Sequence, residues 1–160
     1  GRALIFAPLA SYAFHDHEAI REMMLHPTTV LGLSDGGAHC GLICDASMPT
    51  YLLTHWVRDR TRGERLPLEH VVHLQTGRTA AVYGFADRGT LTPGKRADLN
   101  VIDLEALRLH APEMVFDLPA SGRRLIQRVD GYRATFVAGV QTFADGEPTG
   151  ERPGRLVRAG

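Results

Sequence analysis

The stretch that most constrains this chain is VLGLSDGGAH, residues 30–39, an apolar run that stops abruptly at Ser34, Asp35, Gly36 and Gly37. Val30, Leu31 and Leu33 predict a short buried strand over residues 30–34, because a brief apolar, partly β-branched run bounded by turn residues suits a strand covered on both faces. Asp35 then stands where the strand ends. In parallel barrels and open α/β sheets the carboxyl ends of strands carry the chemistry, so an aspartate followed by a glycine turn is a catalytic candidate. Asp and Gly are also ordinary turn residues, and these ten positions alone leave both readings open.

Composition narrows the function classes. With 160 residues the chain is long enough for one domain with a real core or for two small pieces of something larger, and its 44% hydrophobic and 22% charged content is that of a globular protein. Eighteen basic residues balance eighteen acidic ones, which leaves no global field to gather nucleic acid or anionic lipid. No apolar stretch approaches the ~20 residues that span a bilayer, and residues 1–10 lack the layout of a signal peptide. The expectation is a cytoplasmic protein with no nucleic-acid or membrane partner. Cys40 and Cys44, the only cysteines, are too few for a disulfide framework.

Along the chain, residues 2–9 read as a strand or extended lead-in, and helical spacing over 16–25 sets Ile20, Met23 and Met24 against Glu18, Arg21 and Glu22. His15-Asp16-His17 precedes that helix. Its alternate histidines raise zinc ligation, but the position favours a capping or surface role, with His15 or Asp16 as cap. A zinc site from His39, Cys40 and Cys44 is disfavoured too, since no second cluster supplies a fourth ligand. A helix over 50–60 pairs Leu52 with Trp56 and Leu53 with Val57, and gathers Arg58, Arg60 and Arg62 at a solvated end. Short helices follow over 68–75 and 79–83. Past Gly84 the pattern becomes β-rich. GTLTPGK predicts a turn, and strands are expected over 98–103, 125–129, 134–137 and 140–143, with Gly131, Gly139 and Asp145-Gly146 as turns. Residues 104–124, holding Pro112 and Pro119, read as a long connection, and the tail from Pro148 as surface.

HPTTVLGLSDGGAH, CDASMPTYLLTHWVRDRTRGERLPLEHVV, YGFADRGTLTPGKRADLNVID and TGERPGRLVR occur in this order. The chain thereby resembles the C-terminal part of an N-acyl-D-amino-acid deacylase of the D-aminoacylase type, within the metal-dependent amidohydrolase superfamily. SDGGAH and GTLTPGKRADL carry the resemblance most specifically. It implies an α/β fold with added β structure: the last strand and helices of a TIM-like (β/α)8 barrel over residues 1–84, then strands of a small β-sandwich over 85–160. Asp35 would be the aspartate at the zinc centre and the proton carrier, with Gly36, Gly37 and His39 at the substrate.

The other ligands of such a site, a strand-borne histidine pair and later histidines, have no counterpart here, so the resemblance implies an incomplete fragment, inactive alone. Its partners would be an N-acyl-D-amino-acid substrate and either the rest of the barrel or a second copy. The GTLTPGKRADL region is shared widely, so a cyclic amidase or deaminase is the alternative enzyme, and a non-catalytic β-rich binding or assembly module the alternative of another class.

Overall fold

A computed structural model of the chain describes residues 13–32, 35–37 and 39–158. The chain divides into two compact units, Gly1–Leu31 and Gly32–Gly160. In the first, a 3-10 turn at Ala13–His15 leads into α1 (Glu18–Leu25). Asp16 Oδ1 accepts the Glu18 amide at 3.0 Å, holding the helix entry, and the His26 amide closes its end on the Met23 carbonyl. Met24 is the buried residue of the apolar side. The expected strand over residues 2–9 lies outside the described residues.

The expected strand at 30–34 is not formed over its described part, since Val30, Leu31 and Gly32 carry no strand pairing, while Leu33 and Ser34 lie outside the described residues. A barrel strand takes its ladder from parallel neighbours on both sides. Every ladder among the described residues is antiparallel, so apolar character here has no parallel partner to act on.

In the second unit α2 (Met48–Tyr51) runs directly into a π-helical segment, Leu52–Asp59. Pro49 suits the first turn, where its missing N–H costs no helical bond. The wider turn is closed by the Arg60 amide on the His55 carbonyl at 2.9 Å, five residues back. Burial along the segment departs from the expected pairing of Leu52 with Trp56 and Leu53 with Val57. Leu53, Thr54 and Trp56 are buried, whereas Leu52 and Val57 are half-buried.

Arg60 departs from the expected solvated helix end. It is only 4% exposed. Its guanidinium lies 4.5 Å from the Trp56 ring centroid, and its Nε donates to the Arg62 carbonyl at 2.8 Å. The chain turns at Gly63 and returns so that the Leu66 amide reaches the Trp56 carbonyl at 2.8 Å. That return covers the arginine, and the aromatic face offsets its desolvation. The helices α3 (Leu68–Gln75) and α4 (Gly77–Val82) complete the helical part, with Val71, Leu74 and Ala80 buried. Gln75 Nε2 donates to the Pro49 carbonyl at 3.2 Å, tying α3 back to α2.

The β-rich part contains β1 (Leu99–Ile102), β2 (Arg108–Leu109), β3 (Glu113–Leu118), β4 (Gly122–Ile126), β5 (Val129–Asp130), β6 (Tyr132–Val137), β7 (Val140–Ala144) and β8 (Glu147–Pro148). β1, β6, β7 and β8 form one sheet in that order, while β2–β5 and β3–β4 form two-stranded ladders. Ala138 (φ 53°) and Gly139 (φ 81°) make the tight β6–β7 turn, and Asp145 (φ 45°) and Gly146 (φ 85°) make the β7–β8 turn. The connection expected over 104–124 in fact holds β2 and β3. Pro112 and Pro119 bracket β3 rather than interrupt it, so neither removes a ladder donor from within the strand. No helix among the described residues is long and apolar enough to cross a membrane.

Gly131 joins β5 to β6 at φ 98°, and a Cβ there would stand 2.6 Å from the Leu107 Cα, beneath the buried Leu107. Gly131→Ala should therefore lower unfolding free energy by about 2 kcal/mol or more, read from a denaturant midpoint. Across β3–β4, Arg124 Nε and Nη2 donate to the Asp117 carboxylate at 2.7 and 2.6 Å, and this hydrogen bonding holds the Asp117 carboxyl below the usual carboxylate range. Because the folded carboxyl ionises at lower pH than the unfolded one, the pair stabilises above the ordinary carboxylate pKa and ceases to do so as pH falls through the lowered value. Asp117→Asn should correspondingly flatten the acid limb of a stability-versus-pH curve, with little change in salt at high ionic strength.

Candidate active-site loop

Asp35, Gly36, Gly37 and His39 lie together on an irregular, turn-rich loop that ends where Ser47 precedes α2, and all four are exposed. The loop has its own internal order. The His39 carbonyl accepts the Leu42 amide at 2.6 Å and the Ile43 amide at 3.2 Å, with His39 itself in the left-handed region at φ 44°. Cys40 Sγ donates to the Gly37 carbonyl at 3.3 Å. Gly37 adopts φ 95° with open space where a Cβ would stand, so backbone conformation is what demands glycine there. At Gly36 the demand is steric, since a Cβ would lie 2.9 Å from the Ala46 Cβ. The close approach that Gly36 permits is to its own loop.

Three hydrogen bonds and one close approach join this loop and the start of α2 to the β-rich part. The Leu125 amide of β4 donates to the Cys40 carbonyl at 2.7 Å, and a Cβ at Gly41 would lie 3.2 Å from Arg123 Nε. Ser47 donates its hydroxyl to Gln127 Oε1, whose amide nitrogen donates to the His110 carbonyl at 2.8 Å. Thr50 Oγ1 and Tyr132 OH are 2.9 Å apart. Nothing in the local pattern of the sequence announces these residues, because the side-chain pairs are separated by about eighty positions.

Chemically, the loop offers an exposed carboxylate ahead of a glycine turn, suited to accept and return a proton or to act as one oxygen donor to a divalent cation. Among the described residues no group of three or more His, Cys, Asp or Glu converges to hold a metal ion. These residues therefore do not form a metal centre by themselves. Cys44 is half-buried, and burial, reinforced by the neighbouring Asp45 charge, pushes its thiol pKa up. A thiol so placed is a poorer nucleophile and metal ligand.

A separate cleft of about 270 Å³ lies between the π-helical segment and β2, lined by Tyr51, Thr54, His55, Arg58 and Arg108 among others. It includes none of Asp35, Gly36, Gly37 and His39. Arg58 is already occupied there: it binds Asp59 at 2.6 and 2.9 Å and donates to the Leu104 carbonyl. The stacked rings of Tyr51 and His55, 5.0 Å apart, line the same wall.

Comparison with known proteins places this geometry in context. The chain is 35% identical over 153 residues to an N-acyl-D-aspartate deacylase from Alcaligenes xylosoxydans xylosoxydans, covering 94% of this chain and 28% of that protein. It is 30% identical over 150 residues to a D-aminoacylase of the same organism, covering 92% of this chain and 28% of the relative. An allantoinase from Streptomyces avermitilis is 32% identical over 111 residues, covering 64% of this chain and 22% of that enzyme. The chain thus spans little more than a quarter of the length of the two Alcaligenes relatives and less of the allantoinase. No solved structure matches it. The model of the amidohydrolase family matches residues 6–143, across the Asp35 loop and most of the β-rich part, and the chain belongs to that family.

Proposed function

We propose that these residues are the C-terminal part of a hydrolase that cleaves the amide bond of N-acyl-D-amino acids. The observation that carries this reading is the 35% identity to an N-acyl-D-aspartate deacylase over 94% of the chain, joined by a similar likeness to an N-acyl-D-glutamate deacylase at 32%. In this reading residues 1–84 belong to the catalytic barrel and 85–160 to a small β-sandwich beside it. Asp35 is the catalytic residue. Amide hydrolysis requires a proton to leave the attacking water and another to reach the departing amine, since an unprotonated amide nitrogen is a very poor leaving group. A single carboxylate can serve both steps in turn, and such positioned acid–base catalysis contributes about 10²–10⁴-fold. Gly36, Gly37 and His39 would line the substrate side of the same loop.

Zinc is the cofactor this reading proposes, held largely by ligands that the described residues do not supply; a bound zinc lowers the pKa of water to ~7. Likeness to an allantoinase favours a second reading, a cyclic amidase on the same framework. A panel of N-acyl-D-aspartate, N-acyl-D-glutamate and neutral N-acyl-D-amino acids against cyclic amides separates the two, with turnover expected on the open-chain substrates.

Asp35→Asn in the full-length enzyme should lower kcat by about 10²–10⁴-fold with the fold retained by circular dichroism. Undiminished turnover would remove Asp35 from the chemistry. Residues 1–160 expressed alone should be inactive and self-associate, because Leu42, Tyr83, Leu91 and Phe116 are all well exposed, at 76%, 64%, 85% and 66%. A sharp monomer peak in sedimentation velocity, with cooperative unfolding, would count against this.

A further inference from the structure

We propose that Gln127 is a positioning residue for Asp35, clamping the far end of the Asp35 loop to the β-rich part; this rests on Asp35 being the proton carrier. The loop needs such a clamp. Asp35 is followed by two glycines, and turns rather than ladders fill the way to Ser47. Each unrestrained backbone residue has conformational entropy to lose when it is fixed in one place. Proton transfer tolerates little of that freedom, since a misplacement of about 1 Å can cost on the order of 10²-fold in rate.

Segment 123–132 supplies the restraint. β4 pairs with β3 along one edge, and a donor of Leu125 in β4 takes the Cys40 carbonyl at 2.7 Å. Two residues on, Gln127 spends both ends of its carboxamide. Its oxygen accepts the Ser47 hydroxyl, and its nitrogen donates 2.8 Å to the carbonyl of His110, just beyond β2. The His110 amide in turn donates to the Arg128 carbonyl at 3.0 Å, which fixes the backbone on which Gln127 stands. Ser47 is therefore held to the short link between β4 and β5, which is itself bonded to the residue just beyond β2. Tyr132 repeats the device one helical turn later, at Thr50. The β-rich part thus acts as a jig for the catalytic loop.

The clamp predicts a specific signature in the full-length enzyme. Gln127→Ala should lower kcat on an N-acyl-D-amino acid about 10- to 100-fold while KM changes less than about threefold, and amide exchange at Leu42, Ile43 and Leu125 should accelerate. Exchange in β6 and β7 should stay as in the parent. Ser47→Ala, a milder change, should reproduce the loop exchange and part of the kcat loss, and the double variant should be no worse than Gln127→Ala alone. Gln127→Glu keeps the acceptor for Ser47 but loses the donor to His110, so it should rescue only part of the effect. Unchanged exchange over residues 39–47, or a uniform loss of protection that includes β6 and β7, would overturn the proposal. Asp35→Asn run alongside tells the two readings apart: exchange reports the clamp whether or not Asp35 proves catalytic, and full activity of Asp35→Asn removes the proton-carrier reading alone.

Discussion

The hydrogen bond from the Leu125 amide to the Cys40 carbonyl, 2.7 Å long, is the join on which the rest of the candidate site depends. It gives a partner to a backbone donor on β4, and the same bond gives a turn-rich loop its first fixed point. Backbone donors and acceptors removed from water must be paired somewhere, and here one pairing serves a strand and a loop together. The Gln127 carboxamide extends the arrangement to Ser47 and His110. Around it, Gly36 and Gly41 allow the loop to lie against Ala46 and Arg123 at distances that any Cβ would disturb.

The helical part is organised by a different device. Trp56 is buried, and Arg60 covers the ring instead of entering water. A buried guanidinium is costly unless its donors and its flat face are met. The Arg62 carbonyl takes the Nε–H and the Trp56 ring takes the flat face, while Arg65 Nε donates to the Arg60 carbonyl at 3.0 Å. Leu53, Thr54 and Trp56 are the buried residues of the widened segment ahead of Arg60. The spacing pairs Leu52 with Trp56 and Leu53 with Val57, but Leu52 and Val57 are only half-buried, since apolar spacing does not say how much of a helix face its neighbours cover.

Local chemistry made much of the fold legible. Helix α3 falls where its apolar spacing and Gln75 place it, and the glycines at 139 and 146 mark the hairpin turns of the four-stranded sheet. Strands β2 and β3 were hidden by Pro112 and Pro119, since prolines flanking a strand look the same in sequence as prolines within a loop. The 30–34 run illustrates the opposite limit. Its residues suit a buried parallel strand, but a strand is defined by its neighbours, and Val30 to Gly32 have no ladder.

The sequence by itself determined the family, through motifs such as SDGGAH and GTLTPGKRADL, and it singled out Asp35 because an aspartate after an apolar run and before glycines is a local pattern. Only the tertiary structure decided what holds the loop that bears it. Ser47 meets Gln127 and Thr50 meets Tyr132 across some eighty residues of chain. Spacing along a sequence encodes helix faces and strand faces, periods of a few residues; a hydrogen bond closed over such a distance depends on how the sheets fold back, which no local period records.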